Sequence, residues 1–221
     1  MGIINGPFAD TSDLHKVHTM FRREFGLLPA LVRNVTAGDE ARSRIVADHI
    51  EFLSMILETH HQSEDESLWP KVLDRGTHEV APVVHLMKSH HEGIGELLAE
   101  VHMELRVWLD SAATARGEAL GDTVDRLAAL LKEHMGLEEE RILPIVGKYV
   151  TAAEWEEMVQ KGAVKLRRED IPLIAGMVMY EGGPEVGPPE ARLALRDLAP
   201  KAFASYSKRV HGTGTPPRVT G

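Results

Sequence analysis

The chain has 221 residues and a formal net charge of −9, a length that fits one domain or one domain with an extension. Its hydrophobic content of 43% is enough for a real core, while the acidic balance makes nucleic acid and anionic membranes poor partners. The absence of cysteine excludes iron–sulfur clusters, cysteine-ligated zinc and disulfides.

Residues 1–10 contain neither a basic segment nor an apolar one, so a signal peptide is not expected. No apolar run in the sequence approaches the length that spans a bilayer. We therefore expect a soluble, cytoplasmic protein that binds neither nucleic acid nor membrane. The sequence does not determine its oligomeric state.

Four long amphipathic helices are predicted in the first 150 residues from the 3–4 spacing of their apolar positions. Their approximate ranges are 14–28, 40–69, 81–113 and 118–148. Pro29 ends or kinks the first helix, and Pro70 bends or stops the second. Long helices joined by short loops predict an all-α fold, an up-down-up-down four-helix bundle over residues 10–150.

The remainder of the chain has a different pattern. Thr151 and Glu154 form a capping box that opens a short helix. It is followed by an apolar segment, a Gly/Pro-rich stretch and a last amphipathic helix, at about 171–180, 182–189 and 190–210. We interpret 151–210 as a C-terminal helical extension packed on the bundle, and 211–221 as a disordered tail.

A His-x3-Glu-x5-Pro pattern occurs twice, first at His60 and Glu64 and again 74 residues later at His134 and Glu138. A histidine and a glutamate four residues apart lie on one face of a helix, about one turn (~6 Å) from each other. Such a pair can hold a metal ion. Two pairs in one chain can hold two ions between them.

Another histidine precedes each pair at nearly the same distance. His18 lies 42 residues before His60, and His91 lies 43 residues before His134. In an antiparallel bundle all four histidines fall at the same end and depth, which unrelated histidines would seldom do. We therefore predict a metal site inside the bundle, with two bridging carboxylates. Its predicted ligands are His18, His60, Glu64, His91, His134 and Glu138.

His61 and Asp65 are a second histidine–carboxylate pair with the same spacing, and they are an alternative to His60 and Glu64. The repeat favours His60, because His61 aligns with Met135, which is not expected to be a ligand here. We keep both possibilities open.

Further residues are alternatives or outer contacts of the site. His90 is an alternative to His91, which the repeat favours. Asp65 and Glu139 occupy aligned positions, so either could hold a ligand imidazole through its other N–H. His15 is either a fifth ligand or a hydrogen-bonding neighbour.

His49 shares the helix face of His60 but lies eleven residues earlier, roughly 16 Å along a straight helix. It cannot readily bind the same metal, so we expect a buried, hydrogen-bonded histidine or a second polar site. Surface or structural roles are expected for His78, His85, His102 and His211.

The combined pattern H…HxxxE…H…HxxxE resembles the hemerythrin-like HHE cation-binding domains. The segments HHQSEDESLWP (60–70) and HMGLEEERILP (134–144) look especially similar to actinobacterial members, some of which carry a C-terminal helical extension. The resemblance covers about residues 10–150. It implies a non-heme diiron centre, two iron ions with oxo or hydroxo and carboxylate bridges.

The chain departs from the oxygen-carrying hemerythrins at two places. They have HxxxH on the third helix, whereas Met87 lies four residues before His91. They use an aspartate five residues after the last histidine, whereas this chain has Glu138 at four. A four-histidine site with these departures argues against reversible oxygen transport and favours redox reactivity or sensing.

The function expected from the resemblance is the binding or reduction of a small oxidant, peroxide or dioxygen, in peroxide decomposition or an oxygen or redox response. The alternatives are an iron or oxygen sensor or store without turnover, and a diiron oxygenase acting on an organic substrate. The sequence leaves open whether the protein is an enzyme, catalase-like or another diiron oxidoreductase. No catalytic residue beyond the metal ligands is expected.

Overall fold

A computed structural model of the chain describes residues 6–78, 80–182 and 193–218. In chain order its elements are α1 (Ser12–Arg33), α2 (Glu40–Ser67), α3 (Trp69–Arg75), α4 (Val80–Leu109), α5 (Thr114–Leu137), a π-helical turn (Glu138–Ile142), α6 (Leu143–Tyr149), α7 (Ala152–Lys165), α8 (Ile171–Gly182) and α9 (Leu198–His211). Within these described ranges there is no strand, only an isolated bridge between Phe8 and Thr151. The predicted all-α class is confirmed.

The four long helices α1, α2, α4 and α5 form the bundle. α1 packs against α2 and α5, and α4 packs against the same two helices, so each helix has two neighbours in an up-down-up-down arrangement. Apolar side chains from all four helices fill the interior, among them Phe21, Leu53, Leu98 and Leu127, each 2% exposed or less. The bundle predicted from the apolar periodicity is confirmed.

A second, smaller apolar cluster lies beyond the end of this core and includes Trp69, Val84, Met87 and Ile142. On α4, Met87 belongs to the smaller cluster and Ile94 to the main core. In the same way, Leu57 on α2 belongs to the main core, and Leu68, which follows α2, belongs to the smaller cluster. In the segment formed by α5 and the π-helical turn, Met135 belongs to the main core and Ile142 to the smaller cluster. These intervals contain His60, Glu64, His91 and Glu138, and His134 directly precedes the last of them, so the two apolar clusters enclose a polar layer.

Pro70 and Pro144 each lie in the first turn of a short helix, α3 and α6. This position tolerates proline because the amide hydrogen it lacks would have no partner there. Pro70 therefore separates α2 from α3, as predicted. Pro29 does not end the first helix, since α1 continues to Arg33.

The C-terminal helices cover the bundle from outside. α7 packs on α2, α8 packs on α1, and α9 packs on α8 and α2. The capping box of Thr151 and Glu154 at the start of α7 is confirmed. Of the predicted Gly/Pro-rich stretch, 183–189 lies outside the described residues, as do 190–192 of the predicted last helix.

The chain following α9 contacts α8 in the part that is described. Tyr180 Oη donates a hydrogen bond to the carbonyl of Pro216, and Arg218 donates to the carbonyl of Tyr180. Residues 219–221 of the predicted tail lie outside the described residues. The division into bundle, extension and tail stays a prediction. None of the helices within the described ranges is both long and apolar enough to cross a membrane.

Truncation of a core leucine in α4 should weaken the bundle far more than truncation of a surface leucine in the same helix. Leu98→Ala is expected to lower the free energy of unfolding by about 2–5 kcal/mol, because it removes a buried side chain and leaves a cavity. Leu86→Ala is the matched control, since Leu86 is 37% exposed. Urea unfolding followed by circular dichroism measures both; equal losses would argue against this core.

Candidate metal centre

Side chains from the four bundle segments meet in the polar layer between the two apolar clusters. We call this set the bundle site. It consists of His18, His60, His61, Glu64, His91, His134 and Glu138. All except His60 are at least nine-tenths buried, and His18, His134 and Glu138 are fully buried. All six predicted ligands therefore converge, together with His61.

The donor atoms of the bundle site fall into groups of three. His18, His60 and Glu138 form one group, and His61, His91 and His134 form another. The third group, Glu64, His134 and Glu138, overlaps both. Within each group the donor atoms lie within 4.8 Å of one another, so each group could surround one ion.

Glu64 lies between two imidazoles from different helices. Its Oε1 is 3.3 Å from Nε2 of His60, one turn earlier on α2, and its Oε2 is 3.4 Å from Nε2 of His91 on α4. Each oxygen faces a different imidazole, which is the arrangement that a bridging carboxylate requires.

Glu138 makes the corresponding contacts on the other side of the layer. Its Oε2 lies 3.3 Å from Nε2 of His18 and 3.8 Å from Nε2 of His134. Glu138 is also the first residue of the π-helical turn. The predicted fourth helix, at about 118–148, is helical throughout but contains this π-helical turn. Such turns occur frequently at functional sites.

The inward atoms of the layer have no hydrogen-bond partner among the described residues. These atoms are Nε2 of His18, His60, His91 and His134 and both carboxylate oxygens of Glu64 and Glu138. A buried polar atom without a partner costs about 1–3 kcal/mol, so their convergence needs a compensating ligand. Imidazole nitrogen and carboxylate oxygen suit iron, manganese or zinc. The donor set fits a metal centre.

The pKa values of the two buried carboxylates are shifted in opposite directions. Burial and the negative charge of Glu138 raise the pKa of Glu64 well above its ordinary value. Burial raises the pKa of Glu138 as well, but the contact with His18 outweighs this and lowers it. Burial lowers the pKa of His60 and of His134 to about 3, which keeps both imidazoles neutral and able to bind metal.

Two carboxylates hold imidazoles of the bundle site from the outer side. Glu139 Oε1 lies 2.8 Å from Nδ1 of His18, and Arg22 donates two hydrogen bonds of 2.8 and 3.0 Å to Glu139. Asp65 Oδ2 lies 3.2 Å from Nδ1 of His91. The hydrogen bond to Glu139 places the proton of His18 on Nδ1 and leaves its Nε2 free to face a metal, whereas Nδ1 of His91 has no well-aligned hydrogen bond to Asp65.

His60 and His61, which the sequence presents as alternatives, both reach the centre. His60 meets Glu64, while the ring of His61 stacks on that of His91 at 4.1 Å between centroids. Five imidazoles therefore line the layer, the four of the predicted ligand set and that of His61.

His90 and His15 lie at the edge of the bundle site. The ring of His90 is 5.8 Å from that of His134, and no donor group contains it. His15 has a side chain that is 55% exposed and lies 3.6 Å from Glu139, so it contacts an outer carboxylate. The sequence analysis did not identify Arg22. Its position four residues after His18, on the same helix face, would have indicated that it lies beside the site.

The hemerythrin HHE cation binding domain model matches residues 9–146 of this chain. The matched range contains the whole bundle site together with Arg22, Asp65 and Glu139. No curated protein and no solved structure matches the chain significantly. The geometry and the family match agree on a helical bundle that binds a metal cation.

Loss of the outer carboxylate on His18 should weaken metal binding without unfolding the bundle. Glu139→Gln is expected to lower metal affinity about 10–100-fold, since outer partners of ligand imidazoles contribute that much to affinity elsewhere. Competition with a chromophoric chelator measures the affinity. Glu140→Gln, at the exposed neighbouring position, is the control, and equal affinities in the two variants would remove this role from Glu139.

Proposed function

The chain belongs to the hemerythrin family of HHE cation-binding domains, and from this premise we propose that it holds two iron ions as a non-heme diiron centre and uses them to bind or reduce a small oxidant, peroxide or dioxygen. The observation that supports the proposal most is the pair of separate donor groups in one buried layer, with glutamates between them. A single ion would need only one of these groups.

The first two donor groups would each hold one iron ion, and the third group overlaps both. His18 and His60 would bind the first, His61, His91 and His134 the second, and Glu64 and Glu138 both. Five imidazoles and two carboxylates do not saturate two ions of this kind, so coordination positions stay open for a small ligand. We therefore propose five histidine ligands instead of the four expected from the sequence.

When bound, iron would supply one-electron chemistry towards a small oxidant. The protein's part is to hold imidazoles and two carboxylates in a layer from which water is largely excluded. Asp65 and Glu139 have side chains that are 40% and 21% exposed. They lie between Nδ1 of the buried His91 and His18 and the solvent.

The apolar cleft formed by the C-terminal helices does not support an organic substrate at the metal centre. An oxygenase would need an apolar pocket beside its metal ions. The apolar cleft described between α8 and α9 is lined by Met179, Tyr180, Pro200 and Phe203, among others, and by none of the bundle-site residues.

Iron content tests the two-ion arrangement and the role of His61. The wild-type protein should bind two iron ions per chain and absorb in the near-ultraviolet, while His61→Leu should lose about one iron equivalent. His85→Leu is the control, because His85 is exposed on α4. Iron quantification with an optical spectrum measures both. One ion per wild-type chain, or two retained by His61→Leu, would contradict the assignment.

Peroxide consumption tests the redox role. Iron-loaded wild-type protein should consume hydrogen peroxide faster than the same concentration of free iron, and His134→Leu should reduce the rate to that of free iron, because His134 belongs to two donor groups. Oxygen-electrode assays follow the reaction. If the wild type binds two iron ions and shows no turnover above free iron, the protein is a sensor or store and the catalase-like role is excluded.

A further inference from the structure

Three more donors meet outside the bundle site, where the end of α9 crosses α1 and α2. They are Glu24, His49 and His211, and their donor atoms lie within 4.8 Å of one another. The side chains of Glu24 and His49 are completely buried, and that of His211 is 5% exposed. The three residues come from three helices, and His211 is far from the other two in sequence, so only the tertiary structure shows the group.

The distances suit a shared ion. Oε2 of Glu24 lies 3.2 Å from Nε2 of His49 and 3.1 Å from Nε2 of His211. Metal–donor bonds of about 2.0–2.2 Å place neighbouring donors roughly 3–3.5 Å apart. One carboxylate oxygen therefore faces two imidazole nitrogens at the spacing that coordination of one ion would produce.

The outer atoms of two of these side chains are already occupied. Nδ1 of His49 lies 3.0 Å from the hydroxyl of Tyr206. Oε1 of Glu24 accepts hydrogen bonds of 3.0 and 2.7 Å from Arg23. These contacts orient Nε2 of His49 and Oε2 of Glu24 towards the shared space. Such partners on the far side of a ligand are typical of metal sites.

Nε2 of His49 has no well-aligned hydrogen bond to any described residue, although Glu24 is close. If Nδ1 donates its proton to the oxygen of Tyr206, Nε2 carries a lone pair that faces a carboxylate oxygen in a buried space. Two lone pairs in this position repel each other unless a cation lies between them. A cation bound between these two atoms would explain the missing alignment.

The buried charges around the group are unbalanced. Arg23 contacts both Glu24 and Glu181, and all three side chains are at most 4% exposed. One buried arginine therefore faces two buried carboxylates, and this excess of acidic over basic side chains favours a cation.

We propose that Oε2 of Glu24, Nε2 of His49 and Nε2 of His211 form a second metal site, which binds one divalent transition-metal ion of the zinc(II) class and ties α9 to the bundle. Two imidazoles and a carboxylate are a donor set that such ions accept. Gly212 has a φ of 76° and ends α9 directly after His211, which fixes the position of that imidazole. The proposal does not depend on iron or peroxide chemistry in the bundle.

The test compares zinc content in the full-length wild type and in His211→Gln. Glutamine keeps a hydrogen-bond donor towards Glu24 but lacks the imidazole nitrogen, so a purely hydrogen-bonded cluster would survive this change. After metal removal, zinc reloading and dialysis, the variant should bind one zinc equivalent fewer than the wild type. His85→Gln, which replaces an exposed histidine on α4, should bind as much zinc as the wild type. Equal zinc content in wild type and His211→Gln would overturn the proposal.

A second measurement on the unaltered protein covers the case in which the variant fails to fold. In crystals of the wild type soaked with zinc, an anomalous difference peak is expected between Glu24, His49 and His211. The absence of a peak there at saturating zinc would overturn the second site. The iron content and near-ultraviolet spectrum of the bundle site should be the same in folded His211→Gln and in the wild type, so the failure of one site is distinguishable from that of the other.

Discussion

The burial of two carboxylates and five imidazoles in one layer is the constraint on which the rest of this bundle depends. Buried polar atoms without partners are costly, and the inward atoms of Glu64 and Glu138 have no partner among the described residues. The two apolar clusters on either side stabilise the fold and keep water away from the layer. A bound cation completes the arrangement, because it supplies the positive charge and the coordination that the layer lacks.

Because of the twofold repeat in the sequence, both halves of the layer have the same arrangement of side chains, with local differences. In each half an inward glutamate faces one histidine from its own helix and one from another helix, and an outer carboxylate holds an imidazole through Nδ1. On one side Glu139 is itself held by Arg22, and although burial raises its pKa, His18 and Arg22 lower it to about 2. The corresponding Asp65 is more exposed. The half that contains His18 is thus more firmly held, while the half at Asp65 is closer to solvent.

The C-terminal helices are joined to the bundle by a second polar contact as well as by apolar packing. Glu24 lies on the same helix as His18, and His49 on the same helix as His60, so both polar groups are built on α1 and α2. Arg23 also contributes to the packing of the C-terminal helices on the bundle, since it packs over the rings of Tyr180 on α8 and Phe203 on α9. The proposed second site would therefore stabilise the packing of α9 on helices that also carry ligands of the bundle site.

The sequence alone determined the bundle, the level of the polar layer and the six side chains expected in it, because helical periodicity is local and a histidine four residues before a glutamate shares its face wherever the helix lies. It could not decide between His60 and His61, which differ by about 100° around the helix axis; only the packing of α4 and α5 showed that the interior reaches both. The π-helical turn at Glu138 and the contact of Arg22 with Glu139 also depend on the neighbouring helices. His211 lies 162 positions after His49, and their meeting at Glu24 follows from the docking of α9, for which no local pattern in the chain exists.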